Sequence, residues 1–418
     1  MHATSRDHPR SAIVLIGTLM LTQTIGWGTS ISLIGVLAAP MGASLGLERA
    51  TIYAGISVMF LIGAAAAPLS GRIVDRIGGL NTLCLGTPLF GVALGVLSLA
   101  QGPASYFAAW GIFGLGMHIG LATAAYAALA QILGRSSYRG IGVLTLATGL
   151  CSTLFWPLSE AALQLMDWRT LCGVYATVTL LVSFPAHLAL AHLYGQARNR
   201  RVTMPAEESL AHVPPELAPR AFRLLATMVT LTHCVGMALG ILAIDLFVSL
   251  GTPREAAIFA ASLIGVAFLV SRGIDVVLGS RISRMTLARL VYAMLPLSLL
   301  PLLAFAVVDE PLPAWIAALS AVLYGLPAGL LGILRPVLPF HLFGSLGYGR
   351  RLGRLARPMD LASTLVPVGF AWLITWSPHY ALWAVVGMSG VAFVAVLALA
   401  RIVSGGPSHR HYPASPVE

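Results

Sequence analysis

Lysine is missing altogether. All 25 of the strongly basic residues are arginine, so no Schiff-base or lysine-ammonium chemistry is open to this chain of 418 residues. Charge of either sign is scarce, at 10% of residues against 57% hydrophobic, and the mean hydropathy is +0.86. A soluble fold cannot hide that much apolar surface, whereas a helical membrane protein turns it toward lipid. The four cysteines, Cys84, Cys151, Cys172 and Cys234, all lie inside apolar runs and none makes a CxxC pair, so they read as packing residues rather than redox or zinc ligands. No phosphate-cradling glycine loop, catalytic triad or metal-hydrolase spacing occurs, which removes an ATP-driven pump and a membrane enzyme from consideration. The net charge of +10 comes from arginines scattered through short segments between apolar runs, not from an arm or patch, so it marks topology and not nucleic-acid binding. The polar first ten residues lead into a run too long for a signal-peptide core, and no cleaved presequence is expected.

What the chain does have is apolar length. At ~20 residues per crossing, the runs near 12–38, 50–70, 80–100, 104–133, 140–165, 170–194, 222–248, 256–279, 285–308, 313–342, 358–377 and 380–402 predict twelve spans. The stretch from Gly195 to Arg220, with several charges and the pair Pro214-Pro215, cannot cross and divides the spans six and six. The expected fold class is therefore all-α polytopic, with twelve transmembrane helices in two six-helix halves. Its expected units are an N-terminal half at 1–197, a linker at 198–221, a C-terminal half at 222–402 and a tail at 403–418. With the N-terminus inside, only Arg49, Arg169 and Arg254 fall outside and only Arg272 and Arg335 within spans, leaving the other twenty arginines on the inner side. Both termini and the linker are expected to be cytoplasmic, in a bacterial inner membrane.

Between the second and third runs stands Gly-Arg-Ile-Val-Asp-Arg-Ile-Gly-Gly, from Gly71 to Gly79, which reads as a tight loop at the membrane surface. Its glycines allow a sharp turn, Asp75 can face a helix N-terminus, and Arg76 can reach an acceptor on a neighbouring helix end. The pattern of Gly71, Asp75, Arg76 and Gly78 resembles the signature loop of the major facilitator superfamily, which joins helices 2 and 3 on the cytoplasmic side and helps latch the two halves of a transporter. Gly79 and Leu80 stand where that family usually carries Arg or Lys. A weaker copy, Gly279, Ser283 and Arg284, occupies the matching place in the second half. The resemblance implies three-helix units of inverted topology within each half and alternating access.

Charge inside a membrane costs roughly 2.5 to 3.5 kcal/mol per residue and needs a reason. Arg272 and Asp275, three apart on the eighth span, are expected to face one another, either as a neutralising pair that packs the helix or as a proton or substrate switch. The monocarboxylate-transporter branch of the same superfamily also pairs Asp and Arg on helix 8, in the opposite order and at a spacing of four. Gly26-Trp27-Gly28 on the first span resembles the core of that branch's Gly-Trp-Gly-Trp motif, without its acid or second Trp. Gln23, Trp27 and Ser30 form one helical stripe that either lines a cavity or makes a helix contact. On the tenth span, Arg335 sits in Leu-Arg-Pro on the face of Tyr324, with Pro336 and Pro339 loosening the local backbone. It reads as an anion contact, or as an arginine snorkelling to headgroups. His118 and His233 fall near mid-membrane as proton-handling or packing groups. Thr230, His233 and Met237 beside Cys234 present a soft donor set for Cu(I), with no matching pair on the eighth span.

The resulting expectation is a secondary transporter of a small solute, leading with an organic anion, with the proton as the coupling ion. The partners are that solute, protons and the lipid bilayer; the chain is read as a monomer with no cofactor, no bound metal and no enzymatic activity. Efflux of drug-like compounds, copper import and a non-transporting membrane sensor stand as alternatives. The fifth span, with Trp156 before Pro157, lacks the Gly-Pro-rich antiporter pattern of many drug exporters.

Overall fold

The computed structural model describes residues 7–134, 137–149, 151–202, 213–278, 282–308, 310–344 and 346–404. Every regular element among them is a helix. We number the crossings α1 to α12. α1 is Asp7–Gly28, continued after a turn by Ile34–Leu45. α2 is Arg49–Ile77 and α3 is Gly79–Ser98. α4 comes in two pieces, Pro103–Gly120 and Ala122–Leu133, as does α5, Ser137–Gly149 and Cys151–Leu163. α6 runs from Trp168–Val178 through a π-helical turn into Phe184–Val202. In the second half α7 is Ala218–Ser249, α8 is Arg254–Leu278, and α9 is Arg284–Ser298 with Leu300–Val308. α10 is Ala314–Phe343, α11 is Tyr348–Trp376 and α12 is Pro378–Ser404. Eleven of the helices are long and apolar enough to cross a membrane, and the two shorter apolar pieces of α1 supply a twelfth crossing.

Two expectations about boundaries change. The segment from Gly71 to Ile77 is not a loop but the last turns of α2, and the chain reverses at Gly78 alone, whose φ of +85° favours glycine. α11 likewise starts at Tyr348, not near 358, so Arg350, Arg351, Arg354 and Arg357 sit on its first turns. Charged turns at a membrane surface remain helical because their side chains reach water while the backbone stays paired. Gly279 and Arg281, the linker from 203 to 212 and the tail from 405 onward lie outside the described residues.

The end of the bundle where α2 turns into α3 is the basic end. At the opposite, far end each half keeps its own apolar core. Leu37, Phe90, Trp110 and Leu171 belong to one, Leu246, Leu295, Ile316 and Leu382 to the other, and neither draws on the opposite half. At the basic end, one cluster is shared: Leu19, Val74, Leu83 and Leu129 of the first half pack with Ile333, Val337, Phe340 and Leu352 of the second. The contacts between halves follow suit, running from the second piece of α4 to α11, from the first piece of α5 to α8 and α10, and from α2 to α11. The halves are thus closed on each other at the basic end and separate toward the far end. Within the first half, His187 on α6 bonds Thr87 of α3 at 2.7 Å and Thr22 of α1 at 2.9 Å, satisfying three buried polar groups that lipid could not.

Candidate functional site

α11 begins with Gly347 at φ +67°, a residue with no side chain to cap the free N–H groups of the first turn. Asp75 of α2 does it from the other half. Its Oδ1 accepts from the Gly349 N–H at 2.8 Å and its Oδ2 from the Arg350 N–H at 2.9 Å. The carboxylate sits at the positive end of the α11 dipole, where its charge is favoured. The helices must nearly touch for this reach, and glycines permit it: a Cβ on Gly71 would lie 2.5 Å from the Gly349 carbonyl oxygen, and one on Gly353 would strike the Ala67 carbonyl. Gly79 donates to the Gln131 side chain at 2.8 Å and has α4 backbone where a Cβ would go, so no long basic side chain fits there. Arg76 is exposed and has no partner among the described residues.

About 18 Å along α11 from Tyr348, at 1.5 Å per residue, Asp360 meets His118 of α4. The Nε2 to Oδ2 distance is 2.6 Å and each residue is only 4% exposed. One turn further, Ser363 bonds Nε2 of His233 on α7 at 2.8 Å. Thr123 lies 3.3 Å from the second ring nitrogen of His118. Between these two residues α4 is broken at Leu121, whose φ of −116° and ψ of −150° interrupt the helix. The amides of Ala124 and Ala125 both turn to the Leu121 carbonyl, which frees the Gly120 carbonyl for the Gln23 side chain of α1 at 3.1 Å. α1 is itself interrupted between Gly28 and Ile34. Arg335 of α10 completes the cluster. Its side chain is exposed, although the residues on either side of it on α10 are buried. Asp360, Tyr126 and His233 lie within its Coulombic range, but no hydrogen bond or ion pair holds it among the described residues.

The profile of the Major Facilitator Superfamily matches residues 19–353. The chain belongs to that superfamily. Among solved structures, the proton:xylose symporter XylE bound to 6-bromo-6-deoxy-D-glucose is 16% identical with a TM-score of 0.69, over 94% of this chain and 95% of that one. The fucose:proton symporter FucP of E. coli, in an N162A form and in an outward conformation, is 14% identical with a TM-score of 0.63, over 93% of this chain and 99% of that one. At such identity the likeness shows the fold alone. The sequence has no significant match among curated proteins. A superfamily member is a membrane transporter, and discontinuous helices around a polar centre are where such folds place their sites.

The facilitator fold distributes the sequence candidates unevenly. Arg335, His118 and His233 come together; Gln23 is adjacent, 1% exposed and donating to the Gly120 carbonyl of α4, with Ser30 fully buried. Trp27 packs half-buried against the first-half core. Tyr324, 5% exposed, is enclosed in the second-half apolar cluster about 16 Å along α10 from Arg335. Arg272 and Asp275 do not pair, which corrects the expectation for the eighth span. Asp275 takes Arg284 at 2.8 Å across the α8–α9 connection, and Arg272 donates to the Gly329 carbonyl at 3.2 Å and the Thr145 carbonyl at 2.5 Å. Each found a better-directed partner on another helix than its neighbour one turn away. Ser283, counterpart of Asp75, caps its own helix by accepting from the Thr286 N–H at 3.1 Å. No group of three His, Cys, Asp or Glu side chains able to hold a metal occurs among the described residues. Asp360 does not stand out in the sequence, where an eleventh span near 358–377 places it at the membrane edge. The one signal for it is that no other acid occurs in that span.

Proposed function

We propose that this facilitator moves a small organic anion by alternating access, coupled to protons, with its basic end in the cytoplasm. The observation that carries the reading is Arg335: an exposed guanidinium in Coulombic range of a polar cluster drawn from both halves, and not held by any carboxylate or carbonyl among the described residues. A charge kept unpaired inside a membrane protein is expensive, and an anionic solute supplies the missing partner. The planar fork of arginine matches a carboxylate bidentately, which a lysine ammonium cannot do. The closed basic end and separated far end then correspond to an outward-open state, in which solute enters from outside. XylE and FucP are named as sugar:proton symporters, which supports proton coupling in this fold without carrying over their sugars.

The test is counterflow in proteoliposomes with labelled small carboxylates. Uptake of the accepted anion falls about tenfold or more in Arg335→Lys, the loss expected when a charge-assisted hydrogen bond worth roughly 1.5 to 3 kcal/mol is removed, while expression and insertion stay near wild type. Full activity in both Arg335→Lys and Arg335→Ala rejects the anion contact.

A further inference from the structure

α3 and α6 meet closely at one glycine and part toward the far end. A Cβ on Gly91 of α3 would stand 2.6 Å from the Leu180 side chain of α6, whereas one on Gly95 or on Gly173 would meet nothing within 4 Å. The helices leave between them a groove of about 600 Å³, with Ser98, Arg169, Thr170, Gly173, Val174 and Val178 on its walls. Val174, Leu181 and Val182 of α6 are exposed, so the groove lies on a surface that faces lipid. From Arg169 to Leu180 the helix rises about 16 Å at 1.5 Å per residue. That is the depth of one leaflet, half of a hydrocarbon core of ~30 Å. The head of the groove is charged. Arg169, half-buried, has its guanidinium carbon 4.4 Å from the Trp168 ring centroid and donates from Nε and Nη2 to the Ala100 carbonyl at 3.3 and 2.9 Å. Trp168 is itself fixed by donating from Nε1 to the Ser44 hydroxyl at 2.8 Å. Nη1 has no partner closer than that hydroxyl, at 3.5 Å, among the described residues, and so keeps N–H groups for a ligand. Two residues earlier, Asp167 is exposed and accepts from the Thr170 N–H at 2.7 Å. That bond holds its carboxyl below the usual range, with the Arg169 charge adding to the effect, so it stays ionised at neutral pH. No ion pair joins Asp167 to Arg169 among the described residues, and both charges remain open to a partner.

We propose that this groove holds one phospholipid of the far-end leaflet, with a headgroup that carries both a phosphate and a primary ammonium, as phosphatidylethanolamine does. The phosphate takes the uncommitted N–H groups of Arg169, a charge-assisted contact that suits a guanidinium. The ammonium donates to Asp167, and one acyl chain lies in the groove down to the contact of Gly91 with Leu180. A purely anionic headgroup meets the repulsion of Asp167, and a soluble zwitterion leaves the apolar walls wet. Only a zwitterion with an acyl chain satisfies both ends of the groove. The lipid touches α3 and α6 of the first half and lies away from the central cluster, so this site stands or falls independently of the anion reading of Arg335.

The test is native mass spectrometry of the full chain, purified in detergent, delipidated and titrated with dioleoylphosphatidylethanolamine. The first lipid bound by the wild type is expected to hold about ten times more tightly than the first dioleoylphosphatidylglycerol, the loss that follows from removing one charge-assisted hydrogen bond. Arg169→Gln weakens the first lipid about tenfold, and Asp167→Asn brings the two lipids level. Arg169→Gln also gives up the bond to Ala100, so a second variant leaves the arginine untouched: Gly173→Leu fills the groove and weakens the first lipid to a similar degree. Gly387→Leu, an equally open glycine on α12, leaves it unchanged. Because the lipid binds the folded chain, it also raises the thermal midpoint of the wild type and not of Gly173→Leu. Equal affinity for the two lipids in the wild type, or an unchanged first lipid in Gly173→Leu, overturns the proposal. Displacement by soluble phosphoethanolamine at the same concentration as the lipid would also overturn it, since the headgroup alone would then suffice and the groove would hold no chain.

Discussion

Arg272 shows how a single buried cation can be held without an acid. Its guanidinium passes between α5 and α10 through a slot that exists because Gly149 and Gly332 lack side chains. A Cβ on Gly149 would stand 2.7 Å from one terminal nitrogen, one on Gly332 would collide with the other, and Gly329 presents its carbonyl to Nε. The Phe268 ring lies 4.2 Å from the guanidinium carbon and covers one face. The bond to the Thr145 carbonyl ties the two halves together, so disturbing the slot leaves a buried charge unsatisfied at about 1 to 3 kcal/mol. Gly332→Ala is therefore expected to lower the thermal midpoint of the purified protein. In the Arg272→Ala background the same substitution should cost almost nothing, since the added methyl then fills vacated space. A double-mutant cycle by thermal unfolding measures this coupling, and additive effects would mean that the glycine serves backbone packing and not the arginine.

At the scale of the element, the joint between α2 and α11 is a helix capped by the other half of the molecule. Asp75 provides two hydrogen bonds and a favourable charge to the α11 N-terminus, and an effect of about 1 to 2 kcal/mol follows from losing a cap of this kind. Asp75→Asn should accordingly shift the open-to-closed ratio of the basic end by about tenfold toward open. A cysteine at Leu352, which is 8% exposed within the shared cluster, reports the change. On a background without the four native cysteines, it should react with a thiol reagent about ten times faster when Asp75 is neutralised, and equal rates would separate this cap from closure. The sequence carried the partners of this joint only in part. Apolar length marked the crossings and the glycine-aspartate pattern marked one side of the latch, because both are local in the chain. Gly349 as the acceptor's donor, the Asp360–His118 bridge and the Arg284–Asp275 pair join residues on different helices, and helical periodicity says which face a residue occupies but not which helix faces it. The breaks in α1 and α4 were hidden for another reason: Thr29–Leu33 and Leu121 carry no proline, and the interruption arises from tertiary contact such as Gln23 taking the Gly120 carbonyl.

The whole molecule is asymmetric along its axis. Its arginines gather at the end where the halves are fused by one apolar cluster, while each half keeps a separate core at the other. The proposed inward orientation of the basic end rests on the retention of arginine on the cytoplasmic side during insertion, and the same end must open and close if the central cluster is to meet both compartments. Orientation and conformation can be read in one experiment, because they predict opposite behaviour at opposite ends. In intact cells, again without native cysteines, Gln101→Cys on the exposed α3–α4 connection should label with an impermeant thiol reagent. Arg220→Cys on the exposed first turn of α7 should label only after permeabilisation. Both substitutions lie on the surface, where changes seldom exceed about 0.5 kcal/mol, so loss of folding does not confuse the result. Labelling of Arg220→Cys from outside would invert the molecule. The open far end would then face the cytoplasm in this state, and the proposed direction of anion entry would reverse with it.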